Sequence, residues 1–187
     1  MMLIVYFLII AGTVFVDQIT KYAILTNMAE GQSIPIIKNV LHITYVTNDG
    51  AAMGMMDNSR WVFMTVSVIA IIGITVWICL SYKKMTKLSG IAFSLIIGGG
   101  IGNMIDRTFN GEVFGEGVVV DFIDFCAFPD LWKWIFNIAD SCVCIGVALV
   151  VVDIIIEEVA RYKRSKAEKA SEGKPFEDAS TGKTEED

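Results

Sequence analysis

Residues 2–25 read MLIVYFLIIAGTVFVDQITKYAIL, and this stretch decides the class of fold. A helix of roughly 20 mainly apolar residues is long enough to cross a hydrocarbon layer about 30 Å thick. Further apolar runs occupy about residues 61–81, 91–105 and 136–156, and the middle one spans the layer only if its helix extends to about Arg107. The sequence therefore predicts an all-α membrane protein with four transmembrane helices.

The overall composition favours the same class of protein. Hydrophobic residues make up 54% of the 187 residues, charged residues make up 19%, and the mean hydropathy is +0.58. A soluble domain contains fewer apolar residues, about 45–50%. The first run has no basic residue before it and leads into Asp17 and Lys21 instead of a small-residue cleavage site, so we expect it to remain as a span.

Basic residues indicate the orientation of these spans. They are concentrated in the 82–90 connection and after residue 160, and they are sparse in the connections at about 26–60 and 106–135. Because cytoplasmic segments carry the excess of Lys and Arg, the first two regions should lie inside and the last two outside. Both termini are then expected in the cytoplasm.

The connections and the tail have patterns of their own. Residues 32–47 are rich in β-branched and aromatic side chains with partial alternation, which predicts two short strands in a small extracytoplasmic β-sheet. After about Tyr162 the chain has almost no large apolar residue, so it cannot offset the entropy of ordering. We predict a membrane domain over residues 1–160, with outer loops at 26–60 and 106–135, and a disordered cytoplasmic tail over residues 161–187.

The cysteines and the single histidine argue against several kinds of site. Cys79, Cys126, Cys142 and Cys144 do not have metal-binding spacing, and the interpretation is that they are buried and act as small apolar residues. His42 is the only histidine, and it has no evident nucleophile partner for serine or cysteine catalysis. We therefore expect neither a metal ion nor a cofactor.

Ionisable residues at membrane depth carry the functional signal. Asp17, Arg107 and Asp140 lie in or at the ends of predicted spans. Such a residue costs about 2.5–3.5 kcal/mol to insert and so indicates a function by default. The predicted orientation places all three near the outer leaflet, on the same side as Asp121. Polar groups from separate stretches of sequence thus converge at one depth.

Five short segments contain these residues and together form a recognisable set of sequence motifs. They read Asp17-Gln18-x-x-Lys21, Asn48-Asp49-Gly50-Ala51-Ala52-Met53-Gly54, Gly98-Gly99-Gly100-x-Gly102-Asn103-x-x-Asp106-Arg107, Val118-x-Val120-Asp121-Phe122 and Phe136-Asn137-x-Ala139-Asp140. In this order and on four spans, the chain resembles the lipoprotein signal peptidases, also called type II signal peptidases, over about residues 1–155. The loop between Arg107 and Asp121 is longer than the family pattern, and we expect it to reshape the rim of the site.

The resemblance implies an aspartic endopeptidase of the bacterial cytoplasmic membrane. Such an enzyme removes the signal peptide from diacylglyceryl-modified prolipoproteins and cleaves before the lipidated cysteine. Asp121 and Asp140 would be the catalytic dyad. Nine further positions match the family pattern and would support the site or bind substrate: Asp17, Lys21, Asn48, Gly50, Asn103, Asp106, Arg107, Asn137 and Ala139. The expected partners are lipidated prolipoproteins and membrane lipids, with no nucleic acid, and the protein is expected to be a monomer.

The dyad is also chemically reasonable. Two adjacent carboxylates share a proton, because both cannot ionise comfortably at short range. The ionised member then takes a proton from water, while the protonated member donates to the carbonyl oxygen of the scissile bond. This chemistry needs neither a metal ion nor histidine.

Several residues have a structural alternative to the functional interpretation. Asp17 and Lys21, four residues apart on a helix, can simply neutralise each other. Asn103 and Asn137 can serve as interhelical hydrogen-bonding groups. Arg107 can extend to lipid phosphate instead of bracing the site. In two further cases one interpretation is preferred: Gly98, Gly99, Gly100 and Gly102 favour close helix packing over phosphate binding, and the family pattern favours Asp121 over Asp124 as the catalytic group.

Two other classes of function remain at this point. An oligomeric proton conductor or transporter also needs charged residues in its spans, and a membrane scaffold needs only the helices. A conduction path should carry polar residues at several depths, yet residues 61–80 contain no Asp, Glu, Lys, Arg or His. The clustering of charge at one depth therefore favours an enzyme.

Overall fold

The computed structural model describes residues 2–49, 60–110, 117–128 and 132–172. Helices and strands follow in the order α1 (Met2–Asn27), β1 (Ser33–Ile37), β2 (Leu41–Asn48), α2 (Arg60–Ser81), α3 (Lys87–Phe109), β3 (Val119–Phe125), β4 (Ile135–Phe136) and α4 (Ile138–Glu172).

The prediction of four membrane-spanning helices is confirmed. Within the described ranges, α1, α2, α3 and α4 are each long and apolar enough to cross a membrane. Their outer faces carry large apolar side chains such as Leu8, Ile69 and Leu80, which are 66%, 66% and 80% exposed. An extensive exposed apolar surface needs an apolar environment to cover it. The architecture is therefore that of a multi-pass membrane protein.

Helix α3 is longer than its apolar run. It begins at Lys87 and continues past Arg107 to Phe109. At its start, the hydroxyl oxygen of Thr86 accepts a hydrogen bond of 2.9 Å from the Ser89 amide. This cap satisfies an amide that would otherwise have no partner at the helix start. The first turn of α3 is polar and therefore did not belong to the apolar run in the sequence. That run is shorter than the helix and by itself too short to span the membrane.

A four-stranded antiparallel sheet with the order β1-β2-β3-β4 accompanies the helices. The predicted sheet and the two strands expected within residues 32–47 are confirmed as β1 and β2. Strands β3 and β4 were not predicted, because both lie in what the sequence indicated as an outer loop. Pairing of β2 with β3 places Val46 opposite Asp121 and His42 opposite Asp124.

Small residues allow α3 to approach its neighbours closely. A side-chain carbon on Gly99 would lie 2.4 Å from the carbonyl oxygen of Ala139, and one on Gly102 would lie 2.5 Å from an oxygen of Asp17. Neither distance is sterically possible for a larger residue. Helix α3 therefore packs directly on α1 and α4, in agreement with the packing interpretation of this glycine-rich segment.

The sheet is attached to the helices through a small apolar core. Tyr45, Val120 and Phe122 are buried there and pack against partly buried residues that include Ile24 and Ile138. In addition, the amide of Val120 donates to Asp106 Oδ2 at 3.1 Å. These contacts hold β3 against α1 and α3 and so position the residues that β3 carries.

The chain divides into two compact units, residues 1–151 and 152–187. Helix α4 extends to Glu172, so residues 161–172 of the predicted tail are helical in the structure, while the tail's disorder and its boundary stay predictions. Ala, Glu, Lys and Arg dominate this stretch and are strong helix formers, so a solvated helix forms without a core. Glu158 and Arg161 add an exposed ion pair at 3.2 Å. The predicted disorder of residues 173–187 falls outside the described ranges.

The interpretation of the cysteines as buried is wrong for two of the four. Cys79 and Cys144 are exposed on α2 and α4, whereas Cys126 and Cys142 are partly buried. An apolar helix face that meets lipid and one that meets protein have the same composition, so sequence does not separate them.

Candidate active site

Asp140 is held at the start of α4 by a reciprocal capping arrangement. Its backbone amide donates to Asn137 Oδ1 at 2.9 Å, and its own Oδ2 accepts from the Asn137 amide at 3.3 Å. This is a capping box, which satisfies two free donors of a helix N-terminus at once. The carboxylate also lies at the positive end of the helix dipole, which favours a negative charge there.

Asp121 lies on β3 and is only 1% exposed. Its Oδ1 accepts from Asn137 Nδ2 at 2.7 Å, and its Oδ2 accepts from Asn48 Nδ2 at 2.9 Å. Burial is the main cause that raises the pKa of this carboxyl to about 6, and the nearby charge of Asp140 raises it further. The hydrogen bonds from Asn48 and Asn137 and the charge of Lys21 oppose this rise.

Asn103 joins the two carboxyl groups to a buried lysine. Its Nδ2 donates to Asp140 Oδ1 at 2.7 Å, while its Oδ1 accepts from Asn137 Nδ2 at 3.0 Å and from Lys21 Nζ at 2.9 Å. These contacts leave the amide of Asn103 one orientation that satisfies all partners. Residues from α1, α3, β3 and α4 are thereby linked in one hydrogen-bond network.

A buried ion cluster lies beneath this network. Lys21 Nζ lies 2.9 Å from a carboxylate oxygen of both Asp17 and Asp106, and all three side chains are at most 2% exposed. Asp17 Oδ1 also accepts from the Ala139 amide at 2.9 Å, which is another capping contact at the start of α4. Charges removed from water need such complete pairing to be tolerated. The cluster therefore ties α1 to both α3 and α4.

A cavity of about 670 Å³ lies beside Asp140, between α2, α3 and α4. Asn103, Arg107 and Asp140 contribute polar groups to its wall. The rest is mostly aliphatic and includes Ala70, Ile71, Ile74, Ile96, Ile97 and Val143. The site is thus an apolar pocket with a few convergent polar groups at one end, the usual form of a small-molecule or peptide site.

The structure brings together nearly all the residues that the sequence predicted. Asp17, Lys21, Asn48, Asn103, Asp106, Asn137 and Ala139 join the network around Asp121 and Asp140 through the hydrogen bonds above, and Arg107 lines the cavity. Gly50 lies outside the described residues. Asp17 and Lys21 form an ion pair and also bond to Ala139 and Asn103, so neutralisation and a supporting role are compatible, and the supporting role stays a prediction. Asp124 lies outside this network, and its Oδ2 accepts a hydrogen bond of 2.7 Å from the Thr44 hydroxyl.

Sequence reasoning missed one supporting residue. Gln18 Nε2 donates to Asp106 Oδ1 at 2.9 Å and to the carbonyl oxygen of Gly102 at 3.1 Å. An uncharged amide in an otherwise apolar helix was available as a signal, since such groups seek interhelical partners.

Comparison with known proteins gives consistent results. Residues 9–156 match the family described as signal peptidase (SPase) II. A bacterial membrane enzyme structure determined by the in meso method at 2.3 Å resolution is 33% identical, with a TM-score of 0.69 over 93% of this chain and 94% of that chain. A second bacterial membrane enzyme structure, at 1.9 Å resolution, is 35% identical, with a TM-score of 0.70 over 80% of this chain and 92% of that chain.

Proposed function

Because this chain belongs to the signal peptidase II family, whose members are aspartic peptidases, we propose that Asp121 and Asp140 form its catalytic dyad. Family membership itself makes the protein a multi-pass membrane peptidase that removes signal peptides from lipoproteins. Family membership also decides against the two alternative hypotheses, a transporter and a membrane scaffold. What remains to be assigned is the role of each residue, the cleavage position and the orientation in the membrane.

One observation carries the dyad proposal. The side-chain amides of Asn103 and Asn137 are hydrogen-bonded to each other, and each donates to one of the two carboxyl groups, Asn103 to Asp140 and Asn137 to Asp121. Asp140 at the same time lines an apolar cavity. Two carboxyl groups fixed relative to each other beside a pocket for an apolar chain are what peptide hydrolysis by an aspartic dyad requires.

The surroundings of the two groups favour different roles. Burial raises the pKa of Asp121 to about 6, so this is the member that keeps the shared proton. Asp140 is the member that accepts a proton from water, because it lies at a helix N-terminus and accepts hydrogen bonds from Asn103 and from the backbone amide of Asn137.

Hydrolysis follows from this assignment. Asp140 takes a proton from a water molecule as the water oxygen attacks the scissile carbonyl carbon, and Asp121 donates its proton to the carbonyl oxygen. A neutral tetrahedral diol forms. Asp121, now ionised, takes back a hydroxyl proton as the carbonyl re-forms and the C–N bond breaks, and Asp140 gives its proton to the leaving nitrogen. Both carboxyl groups then return to their starting states.

The cavity supports a lipidated substrate. Its aliphatic wall suits apolar signal-peptide side chains or an acyl chain, and Arg107 at the polar end suits backbone carbonyl or ester oxygens. The proposed reaction is cleavage just before a cysteine that carries diacylglycerol. Gly50 and the other family-matched positions are included in this proposal as supporting or substrate-binding residues.

The proposed setting is the cytoplasmic membrane of a bacterium. Basic residues in the α2–α3 connection and after residue 160 favour both termini inside. The start of α4 and the end of α3 then lie near the outer leaflet, together with the sheet. A monomer suffices for the reaction, since Asp121 and Asp140 both come from one chain.

Cleavage of a purified prolipoprotein tests the proposal. The protein is incubated in detergent with a diacylglyceryl-modified prolipoprotein and with its unlipidated form, and the smaller product is identified by mass spectrometry. We expect the lipidated form to be cut before the modified cysteine and the unlipidated form to be a poor substrate. Asp121→Asn and Asp140→Asn should abolish turnover, whereas Glu158→Gln, an exposed carboxylate on α4, should not change it.

The dyad would be wrong if a folded Asp121→Asn or Asp140→Asn variant kept more than about a tenth of wild-type turnover. Such a loss corresponds to only about 1.4 kcal/mol of transition-state stabilisation.

A further inference from the structure

A second cluster of chemically active side chains lies on the sheet, apart from the dyad. His42 on β2, Asp124 on β3 and Cys126 just after β3 place one nitrogen, one oxygen and one sulfur atom within 4.8 Å of one another. Antiparallel pairing makes His42 the direct partner of Asp124. A hydrogen bond from the Cys126 amide to the carbonyl oxygen of Val40, 2.9 Å long, fixes the backbone that carries the thiol.

The imidazole of His42 has one bonded nitrogen and one unused nitrogen. Its Nδ1 lies 3.3 Å from the hydroxyl oxygen of Ser33. Its Nε2 is buried and has no hydrogen-bond partner among the described residues. A buried polar atom without a partner is destabilising, so its presence in a native fold needs an explanation.

Hydroxyl groups connect the histidine to the aspartate. The Ser33 hydroxyl lies 2.8 Å from that of Thr44, and the Thr44 hydroxyl donates to Asp124 Oδ2 at 2.7 Å. The chain from His42 Nδ1 through two hydroxyl groups to Asp124 orients both groups. Metal-binding histidines and carboxylates commonly have such outer hydrogen-bond partners.

The thiol lies beside the aspartate. Cys126 Sγ donates a hydrogen bond of 3.6 Å to the backbone carbonyl oxygen of Asp124, which places the sulfur next to that residue.

We propose that His42 Nε2, Asp124 and Cys126 Sγ bind a divalent cation of the zinc type. Histidine nitrogen, thiolate sulfur and carboxylate oxygen are the three ligand types that Zn²⁺ takes in proteins, at about 2.0–2.3 Å. Ligand atoms of a tetrahedral ion lie about 3.5 Å apart. The three atoms lie within 4.8 Å of one another, so they need to approach by at most about 1.3 Å, which side-chain rotation supplies. Water or a further oxygen ligand fills the fourth position.

This site is separate from the reaction. Asp121 and Asp124 are three residues apart on β3, about 10 Å along the strand, and successive side chains alternate between the two faces of a sheet. The cation would link β2 to β3 and stabilise the sheet that carries Asp121. Cysteine spacing along the chain predicted no metal site, because the ligands come from two strands that only the fold pairs.

Cobalt binding to the full-length protein tests the proposal. The protein is purified in detergent, stripped with a chelator and titrated with Co²⁺, whose thiolate complexes absorb in the near ultraviolet. We expect a thiolate-to-cobalt band that saturates at one equivalent and is removed by Zn²⁺. Cys126→Ser should abolish the band, His42→Ala should weaken binding at least about tenfold, and Cys79→Ser, the matched cysteine control on α2, should keep it.

A second measurement needs no substitution. In the wild-type protein, Zn²⁺ should slow alkylation of Cys126 at least about tenfold, as followed by mass spectrometry, and leave alkylation of Cys79 unchanged. The absence of a cobalt band in the wild type, its survival in Cys126→Ser, or equal alkylation of Cys126 with and without Zn²⁺ would each overturn the proposal. Cleavage of prolipoprotein, which the dyad performs without a cation, is measured separately and decides only the proposed function.

Discussion

Asn137 Nδ2 donates a hydrogen bond of 2.7 Å to Asp121 Oδ1. The same residue caps α4, since its Oδ1 accepts from the Asp140 amide at 2.9 Å. One side chain therefore holds one carboxyl group of the proposed dyad and positions the backbone of the other. The separate tasks of its two amide atoms allow capping and dyad alignment to be tested independently.

Replacing Asn137 should separate these two tasks. Asn137→Ala removes both and should lower stability by about 1 kcal/mol through the lost cap. Asn137→Ser keeps a capping oxygen but removes the donor to Asp121, so stability should approach that of the wild type while turnover stays at least about tenfold reduced. Thermal unfolding and prolipoprotein cleavage are measured on both variants, with Asn27→Ala at the exposed end of α1 as control. Full activity in Asn137→Ser would contradict the alignment role.

The raised pKa of Asp121 should make stability depend on pH. An aspartate has a pKa of about 3.9 in the unfolded chain, whereas burial raises that of Asp121 to about 6 in the folded protein. The folded state thus binds the proton more tightly, so this contribution is fully present below about pH 4 and is lost as pH rises through about 6. The shift corresponds to about 3 kcal/mol.

Thermal unfolding between pH 4 and 8 checks this sign. Relative to the wild type, Asp121→Asn should become more stable by up to about 3 kcal/mol as pH rises across this window. A difference between the two proteins that is constant with pH would show that Asp121 titrates normally in the folded state.

Removing Asn48 should move the alkaline limit of activity. Cleavage needs the dyad to hold one proton, so turnover should fall at both pH extremes. The hydrogen bond from Asn48 stabilises the ionised form of Asp121 and holds its pKa down. In Asn48→Ala the alkaline limit of kcat should therefore move upward, by about one pH unit. A downward shift, or an unchanged profile in an active variant, would contradict the assignment of the proton to Asp121.

Removing Lys21 should destabilise the protein strongly. Lys21→Met leaves Asp17 and Asp106 buried without their cation, which typically costs about 3–5 kcal/mol. Lys38→Met, at an exposed turn, is the matched control and should change little. Adding Asp106→Asn to Lys21→Met should restore part of the loss, as measured by thermal unfolding. A Lys21→Met protein as stable as the wild type would mean that the cluster is not a net support of the fold.

Labelling should establish the orientation in the membrane. Cysteine is introduced at Lys38 in the β1–β2 turn and at Lys84 between α2 and α3, in a chain whose native cysteines are replaced by serine. An impermeant maleimide should label position 38 in intact cells and position 84 only after the membrane is opened. Labelling with the opposite pattern would invert the proposed topology and place the site on the cytoplasmic side.

The sequence by itself determined that this protein lies in a membrane and which segments carry its functional residues. Crossing a bilayer depends on the summed apolarity of about 20 consecutive residues, a local property, so four helices were predictable. Charged groups in such segments are costly enough to be retained for a purpose, which identified Asp17 and Asp140 without any contact being known. The family pattern added Asp121 and the nature of the reaction.

Only the tertiary structure decided which group binds which. Asn48 reaches Asp121 across 73 positions in the chain, and Lys21 lies between Asp17 and Asp106 because α1 packs directly on the glycines of α3. In the same way, the pairing of β2 with β3 brings together the side chains of the cluster around His42. An amide, an ammonium or an imidazole can bond with any nearby partner of the right type, and nearness between distant segments is set by how the helices and strands pack.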